Sequence, residues 1–148
     1  MAYKGKYTIK RPEKYIGDPS KVVYRSLWER NTFRWLEENP KVRGWNSEDI
    51  VVPYKSTVDN KLHRYYVDLL VEMNNKEIYL IEIKPKKETI PPKKRSRKTK
   101  KYITEVLTYA RNNDKWEAAD AYAKHKGWKF QVWTEDTLKN LGIKLLKS

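Results

Sequence analysis

"RYYVDLLVEMNNKEIYLIEIK", residues 64–84, decides the fold. Apolar and polar residues alternate on either side of Asn74-Asn75-Lys76, and alternation with a period of two marks a strand with one face turned inward. Two such strands joined by a short loop make a hairpin. On the second strand Leu80, Glu82 and Lys84 share one face, and Tyr79, Ile81 and Ile83 share the other. On the first, read as one strand, Tyr66, Asp68 and Leu70 lie opposite Val67, Leu69, Val71 and Met73. The nearly all-apolar face of each strand looks into the core. Matching those faces fixes the register, because a slip of one residue turns one set around. Val71 then opposes Tyr79, Leu69 opposes Ile81, and Asp68 falls opposite Glu82. Lys76 takes a loop position that often needs a left-handed backbone, for which lysine is not ideal.

That register crowds charge. Directly opposed Cβ atoms lie about 4.5–5.5 Å apart, so two carboxylates there repel each other. A nearby arginine would relieve them, and so would a divalent cation, since Mg²⁺ takes one or two carboxylates and completes its shell with water and phosphate oxygens. Lys84 projects from the same face one pleat beyond Glu82, where it can contact a phosphate or steady an attacking water. The alternative is a solvated hairpin face. Leu70 and Leu80 flank the trio on that face and argue against full solvation.

The rest of the chain suits a polyanionic partner. Its 148 residues carry 33 lysines and arginines against 19 acids, a net charge of +14. Nucleic acid is the commonest polyanion. There is no cysteine, which excludes disulfides and thiolate metal sites. The start, "MAYKGKYTIK", lacks the apolar core of a signal peptide, and no stretch approaches the roughly 20 apolar residues of a membrane helix. These features lead us to expect a soluble intracellular protein. Between Lys84 and Lys101 ten of eighteen residues are basic: Lys84, Lys86, Lys87, Lys93, Lys94, Arg95, Arg97, Lys98, Lys100 and Lys101. Following directly on the second strand, this segment sits at the mouth of the expected site and can track a DNA backbone; a solvated loop is the alternative. Tyr65, Tyr66 and Tyr102 are candidates for stacking on bases.

Elsewhere, residues 1–19 read as a polar, extended N-terminal arm and 20–148 as one domain. "SLWERNTFRWLEENP" reads as a helix with Trp28, Thr32, Trp35 and Leu36 on one face. "DIVVPYKS" reads as a short strand, edge-placed by Pro53. "YITEVLTYARNN" carries a helical stripe of Ile103, Val106, Leu107 and Ala110, and a separate helix, "DKWEAADAYAKHKG", starts at an Asp114 cap and stops at Gly127. "WKFQVWTED" gives a late strand before a short final helix. The order of elements predicts an α/β fold, a central mixed sheet flanked by helices. His63 and His125 are the only histidines; His63, beside the hairpin, reads as a surface or core residue, with a phosphate contact the alternative.

Glu29 admits two readings. Ser26-Leu27-Trp28-Glu29 fits a capping box, in which the glutamate reaches back over the helix start. It also fits a third carboxylate leaning from the first helix toward Asp68 and Glu82.

Asp68, thirteen intervening residues and then Glu82-Ile83-Lys84 resemble the D…(D/E)-x-K signature of the restriction-endonuclease-like, or PD-(D/E)xK, nucleases. The wider set "SLWERNTFRWLEENPKVRGW", "VPYKS…HRYYVDLLVE", "YLIEIKPK" and "AAD…KGWKFQVWTED" resembles the endonuclease subunit of TnsA-type transposases over about residues 20–138. The size, the amino terminus and the Tyr/Trp/Lys-rich character resemble the head completion proteins of T-even-type phages. The resemblance implies a restriction-endonuclease-like fold, a Mg²⁺- or Mn²⁺-dependent DNA endonuclease, and action in phage head completion. It implies Glu29, Asp68 and Glu82 as metal-site carboxylates, with Lys84 the catalytic lysine. Val67 stands where the signature has proline. Partners would be DNA and head, portal or neck proteins, with no membrane, and the setting the host cytoplasm with virion association. The competing reading is a structural virion protein that binds packaged DNA or a neck partner without catalysis. The intact Glu29, Asp68, Glu82, Lys84 set favours the enzyme, and no motif of an RNA-binding module is present.

Overall fold

The computed structural model describes residues 4–145. Its centre is a four-stranded mixed sheet in the order β3-β6-β7-β8, formed by β3 (Val42–Ser47), β6 (Leu69–Met73), β7 (Ile78–Ile83) and β8 (Lys129–Trp133). The β6–β7 hairpin is antiparallel with Leu69 opposite Ile81 and Val71 opposite Tyr79, the register the alternation predicts. Lys76 does adopt a left-handed backbone, at φ 75°. β8 joins β7 in parallel, which requires a crossover; α2 (Lys100–Lys126) supplies it.

Both faces of the sheet are covered, not one. Leu69, Val71, Ile81 and Ile83 pack with Phe33 and Leu36 of α1 (Leu27–Glu38), Trp45 of β3 and Leu138 of α3 (Glu135–Asn140). Leu70 and Leu80 pack on the other side with Ala119 and Ala123 of α2 and with a two-stranded ribbon, β4 (Val51–Lys55) and β5 (Leu62–Tyr66). The expected single strand from Arg64 to Met73 is thus two strands. Val67 and Asp68 lie outside both ladders, and the alternation changes parity there: Tyr65 and Val67 face the same core as Leu70, where an unbroken strand would have put Val67 with Leu69.

β3 went unrecognised in the sequence because a bulge between Val42 and Gly44 interrupts its alternation. Gly44 is required there. A Cβ at Gly44 would come within 2.9 Å of the Ile16 side chain and 3.2 Å of the Lys14 carbonyl. Residues 4–21 lie along the body in this way. β1 (Gly5–Lys6) pairs with β2 (Val23–Tyr24), Tyr7 and Tyr15 are buried beside Trp45, and the Tyr7 hydroxyl donates to the Glu37 carboxylate.

On α1 the face is shifted from the expected one. Thr32 and Leu36 are fully buried, but so is Phe33, while Trp28 and Trp35 are only half-buried. The two helices expected between residues 102 and 127 are a single α2. It starts at a Thr99 cap and ends at Gly127, which takes a left-handed φ of 78°. Asp114 is not a cap; its carboxylate accepts from the Thr57 backbone N–H and hydroxyl, both at 2.8 Å. The expected stripe of Ile103, Val106 and Leu107 faces solvent, at 46%, 38% and 40% exposure. The core side of α2 is instead Asn112, Ala119 and Ala123, small residues that let the helix approach the sheet closely.

Candidate active site

At the end of the sheet where β6 begins and β7 finishes, the chain brings together the four residues singled out from the sequence. β7 carries Glu82 and Ile83 to its last turn of the ladder with β8, and the Lys84 N–H continues it by donating to the Trp133 carbonyl at 3.0 Å. Asp68 sits in the break before β6. The ladder stops one pair short of it, at Leu69–Ile81, and its Oδ2 instead accepts the Ile83 N–H at 2.8 Å. Freed from a regular strand, Asp68 can turn its second oxygen toward Glu82. The Glu82 carboxylate is close enough to act on it electrostatically. Burial, then Glu82, then Glu29 push the Asp68 carboxyl well above the usual carboxylate range, although one side of it stays open to solvent.

Glu29 takes part in the helix start and also lies near the carboxylate pair. Ser26 caps α1 by accepting the Glu29 N–H at 3.2 Å, and the Glu29 carboxylate reaches back to the Arg25 N–H at 3.3 Å, one residue before the usual partner. The same carboxylate is buried and senses Glu82. Burial raises it from 4.5 to about 7, with Glu48 and Glu82 adding and Arg25 opposing. The Lys84 ammonium stands 3.8 Å from Glu82 Oε2.

Three neighbours were not legible in the sequence. Tyr65, a base-stacking candidate there, is buried at 4% exposure and donates its hydroxyl to Glu82 Oε1 at 2.8 Å. Burial and the charges of Glu82 and Asp68 drive its pKa far up, so it remains a phenol that holds Glu82 in place. Arg25 makes a two-point ion pair with Glu48, at 2.8 and 3.2 Å, and Glu48 holds a left-handed φ of 56° beside the site while its N–H donates to the Asp68 carbonyl. Lys115 of α2 lies over the Tyr65 ring. The signal for Tyr65 would have been the parity change at Asp68. Nothing in the spacing marks Lys115.

Among the described residues no group of three or more His, Cys, Asp and Glu side chains is arranged to hold a metal ion, so Glu29 does not join Asp68 and Glu82 in a closed three-ligand cage. The donor set fits a hard cation in another way. Mg²⁺ needs only one or two carboxylates from the protein, and Asp68 with Glu82 are such a pair, close enough that Glu82 raises the Asp68 carboxyl. His63 is distant in role, bonded to Asp59 at 2.8 Å and stacked on Tyr54.

The basic residues divide into two sets. Lys86 is engaged at the start of α3: its N–H donates to Glu135 and its ammonium pairs with Asp136 at 3.2 Å. Lys87, Lys93, Lys94, Arg95, Arg97, Lys98, Lys100 and Lys101 are exposed, without a carboxylate within ion-pair distance among the described residues. Part of this segment folds back on α2 around a cleft of about 660 Å³ lined by Lys93, Arg95 and Lys101. Of the other stacking candidates, Tyr66 is 49% exposed. Tyr102 is half-buried.

Comparison with known proteins agrees with this geometry. Residues 39–135 match the family described as TnsA-like endonuclease N terminal. The whole chain is also similar to the "Head completion nuclease" of Enterobacteria phage T4, at 44% identity over 148 residues, covering 97% of this chain and 99% of that protein. With a restriction-endonuclease-like mixed sheet and a match across most of its length, the chain belongs to the TnsA-like endonuclease family.

Proposed function

We propose that the protein is a divalent-metal-dependent DNA endonuclease that acts in phage head completion, on packaged DNA in the host cytoplasm or at the virion. The observation that carries this reading is the convergence of Asp68, Glu82 and Glu29 with Lys84 at one end of the sheet. The name of the phage T4 relative supports the setting.

Each residue has a task that its surroundings allow. A Mg²⁺ or Mn²⁺ ion held by Asp68 and Glu82 would supply Lewis-acid polarisation of the phosphate and an acidified water. The Ile83 N–H and the Tyr65 hydroxyl fix the two carboxylates, so little reorganisation accompanies substrate binding. Lys84 is placed to donate to the phosphoryl oxygens, where negative charge grows as water attacks in line and a P–O bond breaks. Glu29 adds a third carboxyl at the same end of the sheet, negative only as pH passes about 7. The exposed basic side chains of residues 87–101 are free to follow the strand, and no groove-reading motif is present among the described residues, so sequence preference is expected to be weak.

The direct test is incubation of purified protein with supercoiled, linear and branched DNA in Mg²⁺, Mn²⁺ or EDTA. Metal-dependent nicking or linearisation abolished by EDTA is expected. A folded protein that cuts none of these in either metal would leave the structural DNA-binding role as the better reading. The exposed segment has its own expected result. Neutralising Lys93, Lys94, Arg95 and Arg97 should flatten the dependence of log affinity on log salt by about 0.9 for each phosphate that is no longer neutralised. A wild-type slope in the quadruple variant would exclude this segment as the DNA track.

A further inference from the structure

Lys115 lies midway along α2 with its Nζ 5.7 Å from the centroid of the Tyr65 ring, and Tyr65 in turn holds Glu82. Its ammonium is within electrostatic reach of Glu82, Lys84, Arg111 and Asp68. Arg111 is four residues earlier, on the same face of the helix, and senses Tyr54 of β4. Both side chains are partly buried, and neither has a hydrogen bond or ion pair with a described residue. Two neighbouring cations half-withdrawn from water without a paired anion are unfavourable in the protein alone. Burial, Lys84 and Arg111 all weaken the hold of Lys115 on its proton, against Glu82 and Asp68. An anion arriving between them would remove the repulsion, and a guanidinium beside an ammonium suits a phosphate, which accepts from both.

We propose that Arg111 and Lys115 form a phosphate clamp that grips a DNA backbone phosphate adjacent to the one cut, holding the strand against α2 while Lys84 serves the reacting phosphate. The clamp rests on the nuclease reading for its position relative to the cut, but not for its binding of phosphate. It differs from the exposed basic segment in that Lys115 already lies over the Tyr65 ring and both residues are half-buried before DNA arrives, so less rotamer freedom is lost on binding.

The test uses the full chain with Lys115→Met, Lys115→Arg and Arg111→Gln. Affinity for a short duplex is measured over a salt series in EDTA, and single-turnover cleavage is measured in Mg²⁺. Lys115→Met and Arg111→Gln should each lower the salt slope, by at most about 0.9 because one phosphate is gripped, and slow cleavage at least tenfold, whereas Lys115→Arg should keep the slope. A single neutral methylphosphonate placed beside the cut should slow the wild type and leave Lys115→Met unaffected. If Lys115 only props the Tyr65 ring, Lys115→Met will slow cleavage with an unchanged slope, and the clamp is wrong. Should Lys115→Met fail to fold, Arg111→Gln, which has no contact with Tyr65, decides the matter by the same slope. A wild type that cuts no DNA overturns the nuclease reading, while the salt slopes still decide whether the clamp exists.

Discussion

Lys84→Ala should lower the single-turnover cleavage rate about 10²–10³-fold, the usual cost of removing one donor to a developing oxyanion, while DNA affinity barely changes. The asymmetry follows from position and number. Lys84 is one of 33 basic residues, so its share of the attraction to DNA is small. Its ammonium, however, is 3.8 Å from Glu82 Oε2, beside the two carboxylates where the reacting phosphate would sit. It is also only partly exposed, its side chain retaining 25% of its accessible area, so water screens it less than the lysines of the exposed segment. Lys101→Ala, at the exposed start of α2, is the control. Lys86→Ala is a second one, because that ammonium is tied to Asp136. The measurement is cleavage at saturating enzyme, which removes binding from the rate. Equal rates for Lys84→Ala and wild type would remove the central residue of the mechanism.

The alternation in residues 78–83 made β7 readable, because a strand in the middle of a sheet must satisfy both neighbours and cannot slip without exposing its apolar set. Ser26 and Glu29 were readable for a local reason: a helix start leaves N–H groups that nearby side chains must satisfy, and the spacing of that solution is fixed. Asp68 was found at the right place for an incomplete reason. The sequence put it on a continuous strand opposite Glu82; in the structure it stands where the strand breaks, and the break lets its carboxyl accept from Ile83 while it stays within the field of Glu82. That break also changes the parity of Tyr65, which is why a residue expected to meet bases turns inward onto Glu82. The long α2 was misread at Asn112-Asn113-Asp114, three residues that usually punctuate helices because their side chains compete for the backbone. Here the competition is diverted: Asn113 bonds the Tyr109 carbonyl at 2.9 Å, and Asp114 is taken by Thr57. Lys115 comes near Tyr65 and Glu82 only because that helix is continuous and packs on the sheet, which is tertiary information no local pattern carries.

Without divalent metal, the wild-type protein should lose stability as pH rises from 5 to 8, and Glu29→Gln should remove much of that loss. The folded protein raises the Glu29 carboxyl from 4.5 to about 7, so between those values it keeps a proton that the unfolded chain releases. A carboxyl whose pKa is raised on folding contributes its stabilisation fully below the unfolded value and loses it as pH climbs through the folded one. The shift from 4.5 to about 7 corresponds to a loss on the order of 3 kcal/mol. Asp68 is shifted in the same direction and adds to it. Glutamine keeps an oxygen for the Arg25 N–H but has no proton to lose, so the variant should be the more stable of the two at pH 8 in EDTA. Adding millimolar Mg²⁺ at pH 8 should raise the wild-type Tm, because an ion that binds only the folded state stabilises it by mass action and replaces the missing protons. Asp68→Asn should lose both the Mg²⁺ response and cleavage while retaining its bond to the Ile83 N–H. Melting curves at several pH values, with and without metal, separate the possibilities. If wild type and Glu29→Gln lose stability in parallel between pH 5 and 8, the buried carboxyl is not what titrates. If Mg²⁺ leaves the wild-type Tm unchanged at pH 8, the crowding of Glu29, Asp68 and Glu82 is not relieved by a cation, and the case for a metal at these residues fails with it.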